Sequence, residues 1–208
     1  MVAEPGACVA VTGPSGCGKS TLLGLLSLAL RPDEGSGTLF LCGTDALSLW
    51  RRGKDAALTA LRSATLGFVP QTAALLPFLT LRQNIALPQA AANRRDPAWA
   101  EEVAHGLGLR AVLSRRPAQV SVGQRQRAAI ARALSHRPAL LLADEPTASV
   151  HPGQADEILH LLRGLARDAG TALVVTTHDP ARADAAGFAI APCTPSGPGA
   201  SRFGWPSP

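Results

Sequence analysis

The run Gly13-Pro14-Ser15-Gly16-Cys17-Gly18-Lys19-Ser20, followed by Thr21, constrains this chain more than any other stretch. It matches the phosphate-binding loop pattern, with glycines at its first and sixth positions and a Lys-Ser pair at its end. The preceding residues, 8–11, form a short run of small and β-branched side chains that reads as a buried strand. Residues 19–30 are helix formers, and Pro32 stops the run. A strand, a glycine loop and a helix in this order turn backbone N–H groups and a helix N-terminus toward an anion. Residues 13–21 are therefore the expected phosphate contacts for a nucleotide. In that role Lys19 neutralises the β- and γ-phosphates and the Ser20 hydroxyl ligates Mg²⁺.

A second element complements the loop. Residues 139–143 read as an apolar strand that ends in Asp144-Glu145. A carboxylate at such a strand tip holds Mg²⁺, and a second one beside it is placed to orient and deprotonate an attacking water. Asp144 is thus the expected metal residue and Glu145 the expected general base.

The rest of the chain alternates in the manner of an α/β protein. Residues 38–42, 66–69 and 172–176 read as strands, and 152–168 and 180–186 as helices. Between them, 81–87, 98–107 and 122–134 carry helical patterns. The expectation is one domain over residues 1–191, with an α/β core at about 1–71 and 136–191 and an inserted helical subdomain at about 72–135. The Pro-, Gly- and Ser-rich residues 192–208 are expected to be a disordered tail.

Composition excludes some classes. Apolar residues make up 46% and charged residues 17% of the 208, too apolar and too weakly charged for a disordered chain. The longest apolar run, 22–30, is far shorter than the roughly 20 residues that span a bilayer. The first seven residues lack the layout of a signal peptide. The scattered cysteines, Cys8, Cys17, Cys42 and Cys193, suggest neither a disulfide framework nor a zinc site, and so a reducing cytosolic setting. Cys17 lies inside the loop, where oxidation would block ATP. His105, His136 and His160 have no metal-ligand spacing and read as surface helix positions. Trp50 and Trp99 read as partly buried.

Beyond the loop, Val120-Ser121-Val122-Gly123-Gln124-Arg125-Gln126-Arg127 resembles the signature motif of the ABC ATPases. Residues 144–149 resemble that family's Walker B and D-loop segment, Phe68-Val69-Pro70-Gln71 its Q-loop, and Thr176-Thr177-His178-Asp179 its switch histidine. The motifs stand in family order. The resemblance implies a P-loop NTPase (RecA-like) core with an inserted α-helical signature subdomain, and an ATPase acting as a dimer. It implies that Gln71 contacts Mg²⁺ and the attacking water and that His178 contacts the γ-phosphate. Ser121, Gly123 and Gln124 would meet the nucleotide of a second subunit.

Residues 61–71, with 75–80 and Asn84-Ile85, are similar to the ATPases of lipoprotein-release and macrolide-export systems. That implies a second nucleotide-binding subunit and an integral membrane permease as partners, no nucleic acid, and a cytoplasmic place on the inner face of the membrane. Leu76, Phe78 and Leu79 would dock the permease. Two departures from the pattern stand out: Val150-His151 occupies the place of Leu-Asp in the D-loop, and Val122 replaces a glycine of the signature. Two other readings stay open. One is a soluble ABC ATPase acting on nucleic acid or in assembly, and the other is a weakly hydrolysing regulatory subunit.

Overall fold

The computed structural model describes residues 3–33, 39–148, 150–197 and 199–206. Its frame is a six-stranded sheet of β1 (Cys8–Thr12), β4 (Leu66–Val69), β5 (Leu140–Ala143), β6 (Ala172–Thr177), β7 (Ala189–Gly197) and β8 (Ala200–Phe203). Their spatial order is β4-β5-β6-β1-β7-β8. The first five run parallel, and β8 returns antiparallel to β7. A separate two-stranded ladder joins β2 (Phe40–Leu41) to β3 (Thr44–Asp45).

The inner strands β1, β5 and β6 are largely apolar because both faces of the sheet are covered there, as parallel sheets require. Alternate residues sort to opposite sides. Val9, Val11, Leu142, Val174 and Ala191 pack with Leu23 and Leu26 of α1 (Lys19–Leu26). Ala10, Leu141, Ala143, Leu173 and Val175 pack with α6 (Val122–Leu134), α7 (Pro152–Asp168) and α8 (Pro180–Ala185). Each fully buried Leu or Val contributes about 1.5–3 kcal/mol to holding this sandwich.

The stretch between β4 and β5 carries α4 (Leu81–Ala91), α5 (Pro97–Gly106) and α6. The Trp99 indole N–H donates to Leu134 O at 3.1 Å, and the Gln89 amide donates to Ser135 O at 2.7 Å, tying α5 and α4 to the end of α6. Helix α4 runs through Pro88 to Ala91, beyond its expected end at residue 87; the proline removes one backbone donor without ending the helix. Trp99, expected to be partly buried, is buried.

Several expectations need correction. Helix α1 stops at Leu26, short of residue 30, because Leu28 adopts a left-handed backbone and the amides of Ala29 and Leu30 turn back onto Gly24 O. Two further helices, α2 (Ala46–Arg51) and α3 (Asp55–Thr65), precede β4 in a stretch to which the sequence pattern assigned no element. Of the expected strand at 38–42 only β2 forms, and Thr38 lies outside the described residues. His136 is not at the surface. It is 4% exposed, and its Nε2 donates to Leu66 O at 3.0 Å, fastening the end of α6 to β4.

The expected disordered tail at 192–208 is instead largely the β7–β8 hairpin, with 207 and 208 outside the described residues. Ala189 to Pro192 align with Val9 to Thr12, and Ala191 and Cys193 point into the core while Pro192 and Thr194 face out. That period-two burial outweighs the proline content, since Pro192 and Pro195 fall at exposed positions.

Candidate active site

Every strand that carries an expected site residue presents it at the same edge of the sheet. The phosphate loop leaves the carboxyl end of β1, Gln71 follows β4, Asp144 and Glu145 follow β5, and His178 follows β6. Parallel strands bring these ends together, which is where open α/β sheets form ligand crevices. A cleft of about 400 Å³ results, lined by Ser15, Gly16, Gly18, Lys19, Ser20, Thr21, Gln71, Asp144 and Glu145.

The loop geometry follows from its glycines. Gly18, the residue before α1, has φ 93°, a left-handed conformation that glycine adopts without strain. At Gly13 a Cβ would stand 2.6 Å from Cys193 O, so the close approach of β7 requires glycine there. Lys19 is only 7% exposed, and its ammonium donates to Gly13 O at 2.8 Å and Pro14 O at 3.0 Å. Gly13, Pro14 and Cys17 do not line the cleft, whereas the other loop residues do.

Across the cleft, Ser20 Oγ donates to Asp144 Oδ1 at 3.3 Å. A serine hydroxyl and a carboxylate at this separation, beside the Gln71 amide, form an all-oxygen donor set that suits a hard divalent cation such as Mg²⁺. Glu145 has φ 43°, a left-handed conformation costing about 1–3 kcal/mol in a residue with a side chain. Its amide is held by Thr176 Oγ1 at 2.9 Å, and the same hydroxyl donates to Asp144 Oδ1 at 2.6 Å. The His178 Nδ1 stands 3.7 Å from Glu145 Oε2, with its side chain 70% exposed and outside the residues that line the cleft.

The signature residues lie elsewhere. Ser121 caps α6: its hydroxyl accepts from the Gln124 amide at 3.2 Å, and the Gln124 side chain accepts from the Ser121 amide at 3.0 Å. Neither these residues nor Gly123 line the cleft beside Lys19. The unusual His151 caps α7, its Nδ1 accepting from the Gly153 amide at 3.2 Å, a role that an aspartate also fills. Ser149 lies outside the described residues.

Three residues gain functions that no motif announced. Thr176 joins both acids. Gln126, buried in α6, donates to Pro146 O at 2.9 Å and ties the signature helix to the acidic loop. Asn84, fully buried, accepts from the Leu76 amide at 2.7 Å and donates to the carbonyl oxygens of Leu76 and Thr80, shaping the exposed segment with Phe78. Both Gln126 and Asn84 lie in segments that resemble the family, but only their burial shows these roles.

Comparison with known proteins agrees with this geometry. The family model described as ABC transporter matches residues 1–148. The lipoprotein-releasing system ATP-binding protein LolD of Anaeromyxobacter dehalogenans is 46% identical over 183 residues, covering 86% of this chain and 74% of that protein. The ABC transporter ATP-binding protein YxdL of Bacillus subtilis is 42% identical, covering 86% and 69%. The dimeric post-hydrolysis structure of the ATP-binding cassette MJ0796, bound to ADP and Pi, superposes with a TM-score of 0.79 at 33% identity, covering 92% of this chain and 83% of that one. This chain belongs to the ABC transporter family and is one of its ATP-binding subunits, an ATPase.

Proposed function

We propose that this subunit hydrolyses ATP in the cleft at the sheet edge and uses the cycle to power a separate membrane permease. The observation that carries the reading is the convergence of Lys19 and Ser20 with Asp144, Glu145 and Gln71 on one cleft. Phosphoryl transfer to water needs little covalent help from a protein. It needs charge neutralisation and an in-line water.

In this reading the loop amides and Lys19 bind the β- and γ-phosphates, with Lys19 releasing its hold on Gly13 O and Pro14 O as they arrive. Ser20, Asp144 and Gln71 would hold Mg²⁺, which neutralises phosphate charge when bound. Glu145 accepts the proton of the attacking water as its oxygen bonds to the γ-phosphorus and the β,γ-bridging oxygen departs with ADP. His178, beside Glu145, orients that water and contacts the γ-phosphate.

Ser121, Gly123 and Gln124 would close over the nucleotide of a second subunit. Support comes from their position at the N-terminus of α6, where the helix dipole suits an anion, and from the dimeric arrangement of the MJ0796 cassette. Two nucleotides buried between two subunits would favour the closed pair, and hydrolysis would release it.

The permease surface would include Leu76 and Phe78, which are 37% and 66% exposed and sit just after Gln71. The names of the LolD relatives point to lipoprotein release as the kind of system served. Among the described residues no helix is long and apolar enough to cross a membrane. The subunit would then sit against the inner face through its permease.

Glu145→Gln tests the hydrolytic assignment. It is expected to keep ATP binding while lowering phosphate release by about a hundredfold or more. Unchanged turnover would overturn the role given to Glu145.

A further inference from the structure

The phosphate loop and the C-terminal hairpin meet at two thiols. Cys17, in the loop, is 3% exposed, and Cys193, in β7, is 2% exposed. The Cys193 thiol donates to Cys17 O at 2.7 Å. A Cβ placed on Gly13 would be 2.9 Å from Cys17 Sγ and 3.1 Å from Cys193 Cβ, so the two side chains converge on one point. The sequence separation is 176 residues, and the contact exists only because β7 lies beside β1.

We propose that Cys17 and Cys193 are a modification site, a thiol pair that a hydroperoxide oxidises to a disulfide, disabling the phosphate loop. The proposal rests on the reading of that loop as the nucleotide site. With both side chains converging on this point, rotation about χ1 brings the two sulfur atoms together, as a disulfide requires.

The two sulfurs differ in character. Lys19 Nζ lies 4.0 Å from Cys17 Sγ, on the side of the phosphate loop. Burial, and next the neighbouring Cys17 thiol, push the Cys193 thiol up to about 11, so it stays protonated. Cys17 sulfur therefore attacks the peroxide first. Its S–O bond forms as the O–O bond breaks, and the leaving oxygen takes a proton to become water. Cys193 sulfur then attacks the Cys17 sulfenic sulfur. The S–S bond forms, the S–O bond breaks, and the departing hydroxide carries off the Cys193 proton as a second water. The pair loses two electrons and two protons, and the peroxide accepts both.

The bond would remove the Cys17 carbonyl from its hydrogen bond and pull the loop against β7. Cleft amides at Gly16 and Gly18 flank Cys17, so their convergence on phosphate would be lost. A nucleotide in the loop holds it in the open-thiol form and should slow the reaction.

The test uses the full chain, with hydrogen peroxide as oxidant and a fluorescent ATP analogue as probe. Peptide mapping should find Cys17 linked to Cys193, formed more slowly when MgATP is present and reversed by dithiothreitol. Analogue affinity should fall at least about tenfold on oxidation and recover on reduction. Cys193→Ser and Cys193→Ala should each bind the analogue like wild type and form no such link, leaving affinity after peroxide above that of the oxidised wild type. Mapping that finds only isolated sulfenic or sulfinic acids overturns the proposal, as does a linked protein with unchanged affinity. Reduced wild type that fails to bind the analogue would instead sink the nucleotide-site reading.

Discussion

Thr176 donates its hydroxyl proton to Asp144 at 2.6 Å while accepting the amide of Glu145 at 2.9 Å. One buried hydroxyl on β6 thus sets both the Asp144 carboxylate and the strained backbone of Glu145, the proposed general base, just after β5. The geometry of the two acids is decided by a neighbouring strand.

Thr176→Val keeps the shape and removes the hydroxyl, leaving the Glu145 amide without its acceptor. The expected result is a fall in kcat of about 10–100-fold, the usual scale for a group that orients a metal carboxylate. ATP affinity should change much less. Thr176→Ser should restore most of the rate. Steady-state phosphate release alongside equilibrium nucleotide binding would check this, and equal losses in both would refute it.

Gln126→Leu severs the 2.9 Å link between the signature helix and Pro146 O, leaving a buried carbonyl unpaired. A loss of about 1–3 kcal/mol in unfolding free energy is expected. Denaturant titration reads it. Because the link joins α6 to the loop after Glu145, turnover should fall more than nucleotide binding.

His136 gives the fold a pH dependence. Burial, as the leading cause, lowers its pKa from the ordinary value, offset in part by its bond to Leu66 O and aided by Arg94. Below the ordinary value of about 6.5 the unfolded chain takes up a proton that the folded chain resists. Stability from this residue is therefore fully present above that pH and is lost as pH falls toward the lowered folded value. Thermal midpoints between about pH 8 and pH 5.5 should drop more steeply for wild type than for His136→Gln. Parallel curves would show that His136 is not the group responsible.

Phe78→Asp places a charge on the most exposed large apolar side chain among the described residues. Co-purification with a permease should be lost while ATP affinity stays within about twofold of wild type. Retained association would move the docking surface elsewhere.

The chemistry at the phosphate end was legible from the residues alone. The loop at 13–21, the acids after an apolar strand and the histidine after another are contiguous motifs, and each carries its own local geometry. A glycine loop between strand and helix needs little from the rest of the chain to present amides to an anion. The elements that went unread lacked such a signature. Helices α2 and α3 each fully bury a single residue, Ala46 and Leu58, and the β7–β8 hairpin is hidden by its prolines. His136 has a surface-like composition around it, and only its packing against β4 buries it.

Sequence by itself determined which residues can hold phosphate, metal and a water, because those roles belong to side-chain type and spacing along a few consecutive positions. The tertiary structure alone decided how they cooperate. Thr176 to Asp144, Gln126 to Pro146 and Cys193 to Cys17 are separated by 32, 20 and 176 residues. Such contacts depend on the strand order β4-β5-β6-β1-β7-β8, which is set by how apolar faces share one core and leaves no local mark on the chain.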